Sequence, residues 1–189
     1  MSSSTILVLF AATSVWPLGH AQPRTIDTAK SVMTVRVFKA GVLSAFAHDH
    51  EIAAPIASGT VDTTARKVEL RTKAASLKVE DKEASEKDRA QIQSTMTGPE
   101  VLDVERHAEI VFRSTSAESA GGGWQVHGEL TLHGQTRPVV VEVREEGGHY
   151  IGTARLKQSD FDIKPVKVAG GTVRVKDEVR IEFNIVLAR

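Results

Sequence analysis

The chain has 189 residues, of which 41% are hydrophobic and 25% charged, a size and composition typical of one soluble globular domain. Lys plus Arg equals Asp plus Glu at 24 each. This balance argues against nucleic-acid binding, and no basic cluster with interleaved aromatic residues offsets it. The chain has no cysteine, which excludes disulfides, thiolate metal sites and cysteine nucleophiles.

The N-terminal segment has the features of a signal peptide. Residues 6–15 form an apolar run of about ten residues, too short for a bilayer span of roughly 20. Gly19 and Ala21 place small residues at the first and third positions before a cleavage site, although the preceding segment lacks Lys and Arg. We predict a signal peptide over residues 1–21 and a mature domain over 22–189, with no transmembrane segment. A buried N-terminal strand or helix is the alternative.

Most of the mature chain alternates between apolar and polar residues. In residues 179–187, for example, Val179, Ile181 and Phe183 share one face. This period of two predicts antiparallel strands with one apolar face. The predicted strands cover residues 31–38, 68–72, 109–114, 124–132, 138–144, 150–156, 173–175 and 179–187.

Turn residues and one helix complete the predicted elements. Short polar or glycine-containing segments at 119–123, 133–136 and 146–148 predict tight turns and a four-stranded meander over 110–156. Residues 80–97 lack alternation and predict a helix, with Asp81 as N-cap and Gly98-Pro99 at its end. Because its apolar content is thin, we expect this helix to lie on the surface or to cover an opening.

About eight strands, each with one apolar face, predict an all-β fold, an eight-stranded antiparallel barrel with one main surface helix. Closing the sheet removes exposed edges, and a barrel of this size either fills its interior with side chains or holds one small ligand. A two-sheet sandwich would show similar alternation and is the alternative fold.

Residues 128–139 (GELTLHGQTRPV) resemble the signature G-x-L-T-[IL]-H-G-x-[ST]-[KR]-P-V of the YceI family. Residues 101–114 resemble a second family stretch, and residues 25–27 and 160–187 resemble its first and last strands. The resemblance implies a periplasmic, lipocalin-like barrel with an elongated apolar cavity, which in some members holds an isoprenoid such as a quinone tail or polyprenyl phosphate. Ala108 departs from the pattern, where the family often has Pro, and Lys30-Ser31 replaces a His-Ser pair.

The predicted ligand is a long-chain apolar lipid. Aliphatic side chains dominate the inward faces of the strands, and they suit an alkyl or prenyl chain; an ordinary packed core is the alternative. His48, His50 and Arg137 are expected near the polar end of the lipid. The predicted apolar contacts are Val35, Val37, Leu70, Phe112, Leu130, Leu132, Val141, Ile181 and Phe183.

Two other functions stay open. His48 and His50 lie two residues apart, so in a strand both imidazoles could reach one metal ion, with His107 or His133 completing the site. The protein would then handle a metal or haem. The third hypothesis is a ligand-free structural or stress-response barrel. The chain has no G-x-S-x-G, H-E-x-x-H or phosphate-loop motif, so we predict neither an enzyme nor a resident cofactor. The oligomeric state stays open, a homodimer included.

Overall fold

The computed structural model describes residues 22–40, 49–168 and 173–188. Antiparallel strands dominate this part of the chain, as the period-two pattern predicts. None of its helices is long and apolar enough to cross a lipid bilayer. The elements are β1 (Arg24–Thr25), β2 (Val32–Ala40), β3 (His50–Ala53), β4 (Ser58–Asp62), β5 (Lys67–Lys73), β6 (Lys78–Val79), α1 (Glu86–Thr97), β7 (Glu109–Ala120), β8 (Gly123–Leu132), β9 (Gln135–Glu146), β10 (His149–Lys157), β11 (Lys167–Val168) and β12 (Val173–Val186).

All twelve strands belong to one curled, barrel-like sheet. Its order is β1-β4-β5-β7-β8-β9-β10-β12-β2-β3-β6, and β11 pairs with β12. The sheet returns on itself, because Ile26, just after β1, bridges Leu187 at the end of β12. The amide of Asp27 donates to the carbonyl of Val186 at 2.8 Å beside this bridge. Most of the apolar inner face is thereby turned toward a common interior.

The predicted number of eight strands is wrong. The sequence pattern does not predict β1, β3, β4, β6 and β11, which have only two to five residues and so too few alternations to be recognised. The predicted strands 173–175 and 179–187 form one strand, β12, whose register against β2 shifts between Val175 and Val179. The short strands arise where the regular pairing between strands is interrupted. Pairing continues beyond β3, where the Ala54 amide donates to the Met33 carbonyl at 2.9 Å.

The predicted meander is present as β7, β8, β9 and β10, each paired with the next. Its turns have positive φ angles, at Gly121 (56°) and Gly122 (81°) and again at Gly147 (59°) and Gly148 (83°). Two-residue hairpin turns of this kind need positive φ at both central residues, which explains the glycine pairs.

Helix α1 begins at Glu86, six residues later than predicted. Ser85 is its N-cap and accepts a hydrogen bond from the Asp88 amide at 3.1 Å, so the prediction of Asp81 as N-cap is wrong. Glu80 continues the β3–β6 pairing, with its amide donating to the Glu51 carbonyl at 2.8 Å, and residues 82–84 form a turn and a bend before the helix. Gly98 ends the helix, as predicted.

Helix α1 is attached to the sheet by both polar and apolar contacts. The Oε1 atom of Gln93 accepts from the Val79 amide, and its Nε2 atom donates to the Leu77 carbonyl, both at 2.9 Å. Strand β6 pairs with β3 and ends the sheet path, so Gln93 supplies hydrogen-bond partners for the backbone at this edge. Met96 adds a buried apolar contact to the main core.

Candidate functional site: an apolar cavity inside the sheet

The inner face of the sheet surrounds a cavity of about 420 Å³. This volume lies within the usual range of small-molecule sites. Val179, Ile181, Phe183 and Ile185 all line it, along one strand. Six residues of strand advance about 20 Å, so the cavity runs along most of the barrel axis. The residues that line it are predominantly apolar.

The structure places the nine predicted apolar contacts around this one cavity. Their role in binding a ligand stays a prediction. Trp124 also lines the cavity, and its alternation with Val126 on β8 is a signal that the sequence offered. Met96 and Leu102 come from the helix and from a loop, where no period of two could reveal them. The nine are Val35, Val37, Leu70, Phe112, Leu130, Leu132, Val141, Ile181 and Phe183.

Two glycines leave room for aromatic rings against the cavity wall. A Cβ atom at Gly128 would lie 2.5 Å from Cε2 of Phe112, and a Cβ atom at Gly152 would overlap the ring of Phe183. Both glycines are buried and both rings line the cavity. The rings can therefore lie over the glycines rather than project across the cavity.

The two ends of the cavity differ in polarity. We call the end formed by the β4–β5, β7–β8 and β9–β10 connections the turn end, and the opposite one, beside α1, the helix end. Asp62, Thr63, Arg66 and Glu145 line the turn end. The guanidinium of Arg66 donates to the Ala117 carbonyl at 3.3 Å, which holds it at this rim. The helix end is lined mainly by apolar side chains, among them Met96, Val101, Leu102 and Ile163, together with Gln158.

One polar group within the cavity wall lacks a partner. The Oγ1 atom of Thr72 is buried and has no hydrogen bond in the part of the chain that the structure describes. Thr72 is 1% exposed and lies on β5 toward the helix end. A buried hydroxyl without a partner costs about 1–3 kcal/mol, so this position is a sensitive probe of what the cavity contains.

The predicted polar contacts lie elsewhere. His50 is absent from the cavity lining, and its Nδ1 donates to the buried carboxylate of Asp81 at 2.6 Å. That carboxylate also accepts from the Glu51 amide at 2.7 Å and so ties β3 to the segment before α1. Arg137 donates to the Thr136 carbonyl and to the Gln135 side chain, and it does not line the cavity. His48 lies outside the described residues.

Ion pairs lie on the outer face of the sheet. Hydrogen bonds to Glu182, and secondly to Glu51, raise the pKa of the Arg36 guanidinium. Arg36 lies between Val35 and Val37, which both line the cavity. The Arg71 guanidinium lowers the pKa of the Glu69 carboxyl, which lies between the inward Val68 and Leu70. In these strands the charged side chains therefore lie on the outer face of the sheet and the apolar side chains on the inner face.

The fold and cavity define a barrel-like, all-β protein with an internal apolar cavity. A model of the YceI-like domain matches residues 25–187, and the chain therefore belongs to the YceI-like family.

Curated relatives match part of the chain. A UPF0312 protein of Vibrio parahaemolyticus is 35% identical over 92 residues, which are 43% of this chain and 47% of that protein. One from Ectopseudomonas mendocina is 40% identical over 86 residues, which are 39% of this chain and 45% of that protein. The chain thus spans about half the length of these relatives.

Two solved structures share the fold. BcnA of Burkholderia cenocepacia superposes with a TM-score of 0.61 at 21% identity, covering 87% of this chain and 99% of BcnA. A YCEI protein of Campylobacter jejuni superposes with a TM-score of 0.51 at 11% identity, covering 100% of this chain and 99% of that one. At these identities the likeness concerns the fold alone.

Proposed function

We propose that this protein is a periplasmic carrier or storage protein for an amphiphile with a long apolar tail, of the isoprenoid or quinone type. The observation that carries the proposal is the apolar cavity of about 420 Å³ that extends along the sheet. In this proposal the fold acts as a lipocalin-like barrel, with residues 1–21 removed on export.

The apolar wall can supply enough free energy for useful affinity. Burial of apolar surface contributes about 25 cal/mol per Å², so about 350 Å² of a prenyl chain contributes roughly 9 kcal/mol. Micromolar affinity corresponds to about 8 kcal/mol. Entropy lost on association offsets part of this burial energy, so micromolar affinity requires that the cavity bury a greater length of the apolar tail or that the head group add polar contacts.

Charge at the turn end favours a neutral head group. Arg66 is the basic residue of the described cavity lining, whereas Asp62 and Glu145 are acidic. An anionic phosphate would meet both carboxylates, while a quinone carbonyl can accept a hydrogen bond from Arg66 without that repulsion. We therefore place the head group at the turn end and the tail toward the helix end, and prefer a quinone to a polyprenyl phosphate.

The direct test is to identify what binds the protein purified, without a tag, from its own host. Native mass spectrometry and lipid extraction should recover a quinone or prenyl lipid. The chain has two tryptophans, at positions 16 and 124, so the mature protein keeps only Trp124, which lines the cavity near the turn end. Added long-chain quinone should quench its fluorescence saturably. An empty protein that takes up neither quinones nor prenyl lipids would contradict the proposal.

Export can be tested on the same material. We expect the protein in the periplasmic fraction with Gln22 as its first residue, because Ala21 provides the small residue that signal peptidase requires. N-terminal sequencing of that fraction makes the measurement. An N-terminus that still includes residues 1–21 would contradict cleavage at this site.

Replacing Thr72 with valine tests the orientation of the lipid. Valine has the same shape and removes the unpartnered hydroxyl, so the ligand-free protein should become more stable by about 1 kcal/mol. Quinone affinity should stay the same, because the head group lies at the opposite end. Chemical denaturation and calorimetric titration measure the two effects.

A Thr153→Val variant, at a position on the outer side of β10, is the matched control and should change neither stability nor affinity by a measurable amount. If Thr72→Val instead weakened quinone binding, the head group would have to lie beside Thr72 at the helix end.

A further inference from the structure

We propose that Asp103, His107 and His133 form a binding site for a divalent transition-metal ion of the Zn²⁺ type. One ligand atom from each side chain lies within 4.8 Å of the other two. Ligand atoms bound to a tetrahedral Zn²⁺ at about 2.0–2.1 Å are roughly 3.4 Å apart. Movements of about 1.5 Å, within the range of small side-chain rotations, would therefore complete the coordination.

Two loops bring the three side chains together. Asp103 and His107 belong to one tight turn, in which the His107 amide donates to the Asp103 carbonyl at 2.8 Å. His133 lies in the β8–β9 hairpin turn, and its ring centroid is 4.7 Å from that of His107. Gly134 permits this approach, because a Cβ atom there would lie 2.7 Å from Cε1 of His107. Residues far apart in the sequence thus converge on one point.

The hydrogen bonds leave the ligand atoms available. The Nδ1 atom of His133 lies 3.0 Å from the carbonyl oxygen of Phe161. Because a carbonyl only accepts, Nδ1 carries the proton and Nε2 presents a lone pair, as in metal-bound histidines whose other nitrogen is held by a carbonyl. The His107 ring packs edge-on against the His133 ring, with an interplanar angle of 68°.

The Asp103 carboxylate forms one weak ion pair, with Arg106, that would compete with a metal ion. Asp103 is only 9% exposed, and its carboxylate lies 3.5 Å from the guanidinium of Arg106, whose side chain is 78% exposed. An exposed ion pair at that distance contributes little, so a metal ion can displace Arg106 into solvent. Two imidazole nitrogens and one carboxylate oxygen are a ligand set typical of Zn²⁺ with one position left for water or another ligand.

The site is distinct from the lipid cavity but adjoins it. Leu102 and Leu132 line the helix end, and each immediately precedes a proposed metal ligand. The proposal also differs from the sequence-based hypothesis of a site at His48 and His50, since His50 is hydrogen-bonded to Asp81 and does not belong to this cluster. It holds whether or not the protein carries a lipid.

Calorimetric titration of the untagged, metal-stripped protein with Zn²⁺ alone tests the site. We expect one ion per chain, bound with micromolar or higher affinity, and an increase in melting temperature on Zn²⁺ addition. His107→Ala and Asp103→Asn should each weaken binding by about 100-fold or more, since even loss of an outer-shell partner costs about 10–100-fold. Asp103→Asn keeps the shape of the side chain, so it provides a variant with little risk to folding.

His50→Ala and His127→Ala are the controls, because both remove an imidazole outside the cluster, and both should bind Zn²⁺ like the wild type. The proposal is overturned if the wild type fails to bind millimolar Zn²⁺. It is equally overturned if His107→Ala and Asp103→Asn, still folded by circular dichroism, bind Zn²⁺ as tightly as the wild type.

Discussion

A Val141→Trp variant is expected to lose about 70-fold in affinity for a long-chain quinone while remaining folded. Val141 lines the cavity and is 9% exposed. An indole at this position would occupy space that the lipid tail needs. If about 100 Å² of apolar contact is lost, the binding free energy falls by about 2.5 kcal/mol, which is roughly 70-fold. Calorimetric titration of the lipid-free protein measures the change.

The neighbouring residue provides a matched control. Val140 is also a valine on β9, but it is 43% exposed and lies on the outer side of the sheet. Val140→Trp should leave quinone affinity unchanged. The stability of Val141→Trp also separates a cavity from a filled core, because overpacking a filled core costs about 1–3 kcal/mol. Strong destabilisation with unchanged lipid binding would contradict the proposed function.

A Gln93→Ala variant should lower the free energy of unfolding by about 2–3 kcal/mol. The side chain of Gln93 satisfies the amide of Val79 and the carbonyl of Leu77, which are both buried residues. Alanine would leave two backbone groups without partners, and each such group costs about 1–3 kcal/mol when it stays buried. Because Gln93 attaches α1 to β6, local opening at the helix end should also accelerate lipid release. Urea denaturation and stopped-flow release measure the two effects.

The same helix contains the control for this prediction. Gln91 is two residues away and exposed. Gln91→Ala should change stability by less than about 0.5 kcal/mol, as is usual for surface substitutions. Because alanine has the higher helix propensity, a change in propensity cannot lower stability at either position. An equal loss in the two variants would therefore contradict the specific role of the Gln93 contact with β6.

Predictions from the sequence succeeded where one strand carries several alternations. The meander from β7 to β10 and the inward series from Val179 to Ile185 follow from a period of two, because side chains on a strand alternate between faces. The predicted start of the helix is wrong, because Glu80 continues the β3–β6 pairing and residues 82–84 form a turn and a bend before the helix begins. Pairing with another strand is a long-range interaction, and local propensity does not contain it.

The sequence by itself determined the apolar inner face, the positions of the long strands and turns, and membership of the YceI-like family. The tertiary structure alone decided which side chains meet. It placed His50 on Asp81 rather than in the cavity, joined Asp103 and His107 to His133, and left Thr72 without a partner. The physical reason is that periodicity fixes the face on which a side chain lies, whereas contacts between distant residues depend on the register and curvature of the whole sheet.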